Sequence, residues 1–472
     1  MAYRYGTRDQ LSLFPPCVDD YVPRNAVVRA YDTMVEALDF EELGIEINPD
    51  NVGNPQYDPK AMLKLYVYGI AYGIRSSRKL EREVNYNVSF MWLMKQLKPD
   101  HKTIAEFRRK NKKALANVLK QCARMCLKLE LVEGNTLFAD GSKIRANASI
   151  KNDWTRERCE EALKKADESI DRILKECEDT DFREEDQPTL IKMQSELADN
   201  EVLKSKVLGI LNDLKIEKKE RINIVDPECA VMHSQKGSHS GYNAQVVVDE
   251  KHGLIISADV TNENNDYKQF AEQINLANET LQGKCSTACA DSGYANTPEL
   301  EKISEQGIKV IVPSIMQAAE KSDPFAKKNF TYDRERDCYV CPTGHTLSYR
   351  GTHGSDTRIY KTANNACKHC HSFNDCTKIK TGRVIQRLKN EELKEKFEAL
   401  YRAPDSQRIY KLRKEKVELT FGHIKRNLKF DGFLLRGKAG ARAEISLAAT
   451  CFNMARMITI VGVDGIIRKL QM

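Results

Sequence analysis

The chain has 472 residues and a mass of 53.8 kDa, with 41% hydrophobic and 30% charged residues and a net charge of +7. With only 14 Pro and 24 Gly, collagen-like and broadly disordered classes are excluded, and the length suggests several folding units. The most apolar stretch, Ile445 to Val463, carries Arg456 in its middle, so no membrane partner is expected. Met1-Ala2-Tyr3-Arg4-Tyr5-Gly6 lacks the pattern of an export signal, which predicts a cytoplasmic protein. Fourteen cysteines are too sparse for a disulfide scaffold.

Residues 1 to 130 read as helical, with polar turns at Asn48-Pro49-Asp50-Asn51 and Lys98-Pro99-Asp100. Asp58-Pro59 looks like an N-cap followed by proline at the first helical position, opening an apolar run through Tyr68. A further helix is expected over Val88 to Leu97, then a long one from about Lys102 to Lys128. Its start carries Phe107, Arg108, Arg109, Lys110, Lys112 and Lys113. A helix-turn-helix on DNA, with Arg108 and Arg109 facing phosphate, is one reading; a helical bundle with a charged exterior is the other.

At Thr136 to Ser142 a short apolar run ends in Asp140-Gly141, the pattern of a strand delivering a carboxylate to its end. From Trp154 to about Glu220 the chain is charge-rich, with Leu163, Ala166, Ile170, Ile173 and Cys177 at helical spacing. This predicts a helical hairpin inserted into another domain. Tyr242 to Asp249 and Leu254 to Val260 flank a turn and read as a β-hairpin, followed by a helix from Tyr267 to Leu281. Ser286 to Gly293 repeats the earlier design, a small-residue strand ending at Asp291, and Val310-Ile311-Val312 makes another strand.

Residues 315 to 385 read as irregular and cysteine-bearing. Cys338-x₂-Cys341 and Cys367-x₂-Cys370 lie 25 residues apart, with Cys376 beyond, which is the spacing of a zinc ribbon. Spacing alone favours Cys338, Cys341, Cys367 and Cys370 as ligands, with His345, His353, His369 and His371 as nearby alternatives. From Asn390 helix returns, and residues 401 to 442 hold twelve Lys or Arg against four Asp or Glu, more than the excess of the whole chain. Such local basicity suits a polyanion, since each phosphate neutralised releases counterions; a solvated helix face is the alternative. A final apolar helix, Glu444 to Val461, is expected to pack on the core.

The order of strand with Asp140, hairpin, helix, strand with Asp291, strand and later helix with Glu418 suggests an RNase H-like α/β core. Two Asp and one Glu converging there can hold two Mg²⁺, or Mn²⁺, about 3.5–4 Å apart for phosphodiester chemistry. Asp-Gly alone is more often a turn, so the arrangement carries the argument.

These segments together resemble the bacterial insertion-sequence transposases of the DDE type, nearly end to end. The matching stretches are Arg8 to Phe14, Pro99 to Arg108, Ala139-Asp140-Gly141-Ser142, Gly241 to Gln245, Ala290 to Tyr294 and Val417 to Lys425. The family's third-acid signature is similar to Tyr410, Arg413, Glu418 and Lys425, with four residues instead of three between Arg413 and Glu418; in strict register Lys414 takes the Arg position. Glu415 is the competing acid, disfavoured because the position seven residues on is Gly422. The resemblance implies catalytic, Mg²⁺-binding Asp140, Asp291 and Glu418, nicking at the element's ends, and attack of the freed 3′-OH on target DNA. It also favours Cys341, Cys367, Cys370 and Cys376 as ligands of a structural Zn²⁺, with Cys338 as the alternative.

Tyr410, Arg413, Lys414, Lys425, Arg426, Lys429 and Arg436 are the expected DNA contacts, with Asn243 and Gln245 either reaching DNA or satisfied within the sheet. The expected architecture is an all-α DNA-binding domain over 1–130 and an RNase H-like core split across 131–150, 226–314 and 386–472. A helical insertion at 151–225 and a zinc-binding insertion at 315–385 interrupt the core. The expected partner is double-stranded DNA, met as a homo-oligomer. Read without the resemblance, the residues leave open a metal-dependent nuclease that only hydrolyses and a non-enzymatic zinc-ribbon regulator.

Overall fold

The computed structural model describes residues 17–45, 47, 56–181, 187–216, 218–234, 237–318, 323–354, 357–363, 366–379 and 381–471. Arg8 to Phe14 and the Asn48 turn lie outside the described residues, as does the side chain of Cys177. Before residue 130 the chain is helical, and local chemistry sets the boundaries. Asp58 accepts from the Lys60 N–H ahead of Pro59–Ala71, with Pro59 at the first turn, as expected. Val88–Leu93 is shorter than expected because Lys95 and Gln96 take left-handed backbone angles, φ of 51° and 66°. The long helix expected from about Lys102 is two helices, His101–Lys110 and Lys112–Lys128. Asn111 divides them, its side-chain amide donating to the Phe107 carbonyl, a local bond that competes with continued helix.

The main sheet is mixed. The strand Thr136–Arg145 pairs antiparallel with Gly237–Asp249 on one side and parallel with Thr287–Cys289 on the other. Lys309–Ile311 adds a further parallel strand, and Ile255–Thr261 forms the expected hairpin with Gly237–Asp249. Asp140 lies in the middle of its ten-residue strand, not at its end as the sequence suggested. It is the parallel pairing that ends nearby: the last registered pair is Phe138 with Cys289. Two residues beyond it on either strand stand Asp140 and Asp291, so the register itself sets the two carboxylates abreast.

The helical insertion is a hairpin, Arg156–Asp181 and Gln187–Ile216, closed by the strand pair Asp153–Thr155 and Arg221–Asn223. The stretch expected to be irregular holds instead a five-stranded antiparallel meander between Thr331 and Leu388. Its strands are short and bury one face around Phe330, Tyr339, Leu347, Tyr360 and Ile385, a pattern hidden in sequence by the intervening polar turns.

Lys438–Val461 is apolar and long enough to cross a membrane, but most of it is buried inside the protein. Its small residues, among them Ala441, Ala448 and Ala449, let it pack closely against Lys112–Lys128, Pro59–Ala71 and Ile255–Thr261. One hydrophobic core therefore runs through the N-terminal helices, the sheet and the C-terminal helices.

Candidate active site

Asp140 and Asp291 are joined by Arg413, which rises from the helix Pro404–Arg426 packed across the Asp140 strand. Its Nη1 stands 3.4 Å from Asp140 Oδ1 and its Nη2 3.8 Å from Asp291 Oδ2. The helix is fixed by Val417, Thr420, Phe421 and Ile424, all buried, and this face directs Arg413 at the acids.

Burial pushes the Asp140 carboxyl up to about 7; Arg413 opposes the shift, while Asp291 and Asp266 add to it. For Arg413 burial works against the charge, but the two carboxylates more than offset it and raise its pKa. The guanidinium thus occupies the place of a cation between two acids.

Glu418 is not brought to this pair. It lies five residues after Arg413, about 140° around the helix, and is solvent-exposed. Glu415 is exposed as well. Among the described residues no three His, Cys, Asp or Glu stand at metal-ligating spacing. Lys425 does reach the Asp140 strand, its Nζ 2.5 Å from Ser142 Oγ.

Sequence reasoning missed Asp266. It sits in the Asn-rich loop after the hairpin, where its Oδ1 accepts from Asn243 Nδ2 at 2.8 Å and Gln245 Nε2 at 2.6 Å. Gln245 Oε1 in turn accepts from the Tyr294 hydroxyl. Asn243 and Gln245 are fully buried, so of the two readings offered for them the one within the sheet holds. The signal available in sequence was the glycine after Asp140, Gly141, whose missing side chain makes room for this residue.

The other expected DNA contacts divide. Lys414, Arg426, Lys429 and Arg436 are exposed. Tyr410 is half-buried, packed edge-on against Tyr401 at 5.1 Å. Arg109 is exposed and paired with Glu106. Arg108 is a correction: its side chain is only 13% exposed, lies over the Tyr66 ring and faces Glu444 at 3.9 Å. Glu444 also bonds Arg75 at 2.7 Å and accepts from the Leu434 and Leu435 N–H groups, so Arg108 belongs to an internal ion cluster and not to a DNA face.

In the meander, Cys341, Cys367, Cys370 and Cys376 line one small cavity, whereas Cys338 is buried on the strand Cys338–Val340 and does not line it. The His345 N–H donates to Cys341 Sγ at 3.1 Å and the Arg383 N–H to Cys367 Sγ at 3.4 Å. Cys341 and Cys370 both bond Thr343 Oγ1, at 3.0 and 3.6 Å. Four thiols are the donor type a soft divalent ion takes, but they are not gathered at ligating spacing in this arrangement.

The mixed sheet carries paired acids beside a basic helix, and comparison with known proteins adds two family matches. Residues 16–110 match a family model described as Transposase domain (DUF772), and residues 340–458 one described as Transposase DDE domain. Both matched stretches are transposase domains, and together they support an insertion-sequence DDE transposase. Asp140, Asp266 and Asp291 lie between the two matched stretches; Arg413, Glu418 and Lys425 lie within the second. Among solved structures the chain is similar to a piggyBac transposase in a synaptic complex with hairpin DNA. The TM-score is 0.33 at 10% identity, over 94% of this chain and 78% of that one. No curated protein matches.

Proposed function

We propose that this transposase has an RNase H-like core that cuts double-stranded DNA at the ends of its element and joins the freed 3′ ends to target DNA. The observation that carries the reading is the register of Asp140 with Asp291 on adjacent parallel strands, bridged by Arg413. The sheet, with an antiparallel hairpin on one side of the Asp140 strand and parallel strands on the other, supports the RNase H-like assignment.

Asp140 and Asp291 would hold Mg²⁺ or Mn²⁺; Glu418, the third acid that the resemblance implies, stands exposed away from them and would join the ions only after the helix Pro404–Arg426 turns. The bound ions supply the activation of the attacking oxygen and the stabilisation of the departing one. Asp140, once ionised, contributes charge at the site; Arg413 lies between the two acids and is a ready contact for phosphate when they are otherwise neutralised. Lys425, Lys414, Arg426, Lys429 and Arg436 position the DNA backbone without reading sequence. Cys341, Cys367, Cys370 and Cys376 would draw together on a structural Zn²⁺ and so close the meander. The protein works in the cytoplasm, as a homo-oligomer on paired DNA ends.

Asp140→Asn and Asp291→Asn are each expected to lower cleavage of an end-bearing plasmid by at least about 10³-fold, roughly 4 kcal/mol in the barrier, with gel-shift affinity retained. Cleavage at the wild-type rate by either variant would rule the assignment out. Products cut but never joined, from the wild-type protein, would leave a nuclease in place of a transposase.

A further inference from the structure

The two acids of the proposed site are not held alike. Asp140 lies inside a ten-residue strand, paired with Val246 and flanked by further pairs from Leu137 to Arg145. Asp291 stands past the end of the strand Thr287–Cys289, since the registered pairs with both neighbouring strands stop at Cys289. What places Asp291 is therefore the turn that follows, Ser292–Tyr294. Asp291 Oδ1 accepts from the Gly293 N–H at 2.8 Å, and the Asp291 carbonyl accepts from the Tyr294 N–H at 3.2 Å. So short a turn is only as well placed as its far end.

That end is anchored by a run of side chains. The Tyr294 hydroxyl donates to Gln245 Oε1, and Gln245 Nε2 donates to Asp266 Oδ1 at 2.6 Å, beside Asn243 Nδ2 at 2.8 Å. Tyr294, Gln245 and Asn243 are all buried. An ionised carboxylate only accepts, so Asp266 fixes which way the Gln245 amide points and turns its oxygen, not its nitrogen, toward Tyr294. Gln245 sits opposite Gly141 in the antiparallel register, and a Cβ on Gly141 would fall 2.3 Å from Asp266 Oδ1 and 2.5 Å from Gln245 Nε2. The run thus ties the Asp291 turn to the strand pair that carries Asp140. In a buried setting each bond orients the next.

We propose that Tyr294, Gln245 and Asp266 are positioning residues that hold Asp291 abreast of Asp140, with the Asp266 charge setting the direction of the run. The inference rests on the proposed function of that site. In this role none of the three touches DNA; they act through Asp291. A displacement of about 1 Å at a reacting group lowers a rate by about 10²-fold, whereas DNA affinity comes from exposed basic side chains. Tyr294→Phe keeps the ring against Phe270 and removes only the hydroxyl. Cleavage of an end-bearing plasmid by the full chain, in single turnover at saturating DNA, is expected to fall at least about tenfold, with gel-shift affinity and thermal melting little changed.

Reversing the run is the second test. Gln245→Glu sets a second carboxylate against Asp266, and Asp266→Asn removes the charge that orients Gln245; each alone is expected to slow cleavage at least about tenfold. The two together return one charge and one amide to the pair, and a carboxylate at position 245 still accepts from Tyr294. Cleavage by that double variant is expected within about threefold of wild type. Wild-type cleavage by Tyr294→Phe, or a loss of DNA affinity as large as the loss of cleavage, overturns the positioning role. Should Tyr294→Phe fail to fold, the reversal decides: a double variant no faster than the slower single one overturns the proposal, and recovery supports it. Asp140→Asn in the same assay keeps the two readings apart, because wild-type cleavage by that variant overturns the site itself.

Discussion

The carboxylate centre and the cysteine cavity both gather side chains from distant parts of the chain, but on opposite supports. Asp140 and Asp291 stand on neighbouring strands whose register sets their spacing, and a guanidinium from the same molecule bridges them. The four cysteines stand on turns and short helical pieces, steadied by N–H and hydroxyl groups aimed at sulfur. Arg383, the guanidinium beside them, is spent on the carbonyls of Cys376 and Phe325. The difference follows from the acids and thiols themselves. A carboxylate is ionised at neutral pH unless burial prevents it, so a folded acid pair needs a built-in cation. Thiols can rest neutral, and the Cys376 thiol is pushed higher still by burial. The acid pair is thus held by the sheet whether or not metal is bound, whereas the thiol site, on turns and short helical pieces, would depend on the proposed zinc for rigidity.

The largest effect separating the two is expected from zinc removal. A structural zinc contributes on the order of 10 kcal/mol to the fold that holds it. A zinc-selective chelator, or Cys370→Ser with Cys376→Ser, is expected to lower amide-exchange protection across 346–362 by at least about 10³-fold while strand Thr136–Arg145 keeps its protection. Retained protection in the meander after complete metal removal would make the two sites alike and sink the distinction.

How much of this was legible in sequence follows the same line. Asp140 and Asp291 could be read because small-residue strands ending near Asp-Gly are local patterns, and the sheet then aligned them. The four cysteines that share a cavity are the set favoured by the resemblance and not by spacing alone, since Cys338 turned out to lie on a strand that points it elsewhere. Arg108 was misread because a basic residue at a helix end looks solvent-directed; its partner Glu444 lies 336 positions away, and no local pattern announces such a pair. Asp266 was missed for the same reason. Its partners Asn243 and Gln245 come from the opposite side of a hairpin, and only the room left by Gly141 hinted at it.

A second, smaller effect is a pH dependence confined to the acid site. Burial raises Asp140 from an ordinary value of 3.8 to about 7, so between these values the folded state binds more protons than the unfolded one. Stability of the metal-free protein is therefore expected to fall as pH rises from about 4 to about 7, by up to about 4 kcal/mol from this group. Asp140→Asn should flatten that slope in urea titrations, and Cys376→Ser should not, because its thiol titrates above the window. Parallel stability curves for Asp140→Asn and the wild type would show that the acid pair carries no unusual proton.

The smallest effect concerns the space between the acids. Gly141→Ala would set a methyl group against Asp266 Oδ1 and Gln245 Nε2, both held by a buried network and neither the tip of a flexible chain. Overpacking of this kind costs about 1–3 kcal/mol. The same change at Gly344, in the turn after Cys341, meets nothing within 4 Å and has only its positive φ of 86° against it. Gly344→Ala should therefore cost about 1–2 kcal/mol from backbone strain alone, and that cost should be the same with or without Asp266. A double-mutant cycle reads the contrast: Gly141→Ala paired with Asp266→Ala should recover part of the lost stability, because the second change opens the room the first one fills. Strict additivity in that cycle would mean the glycine is needed for a reason other than the carboxylate beside it.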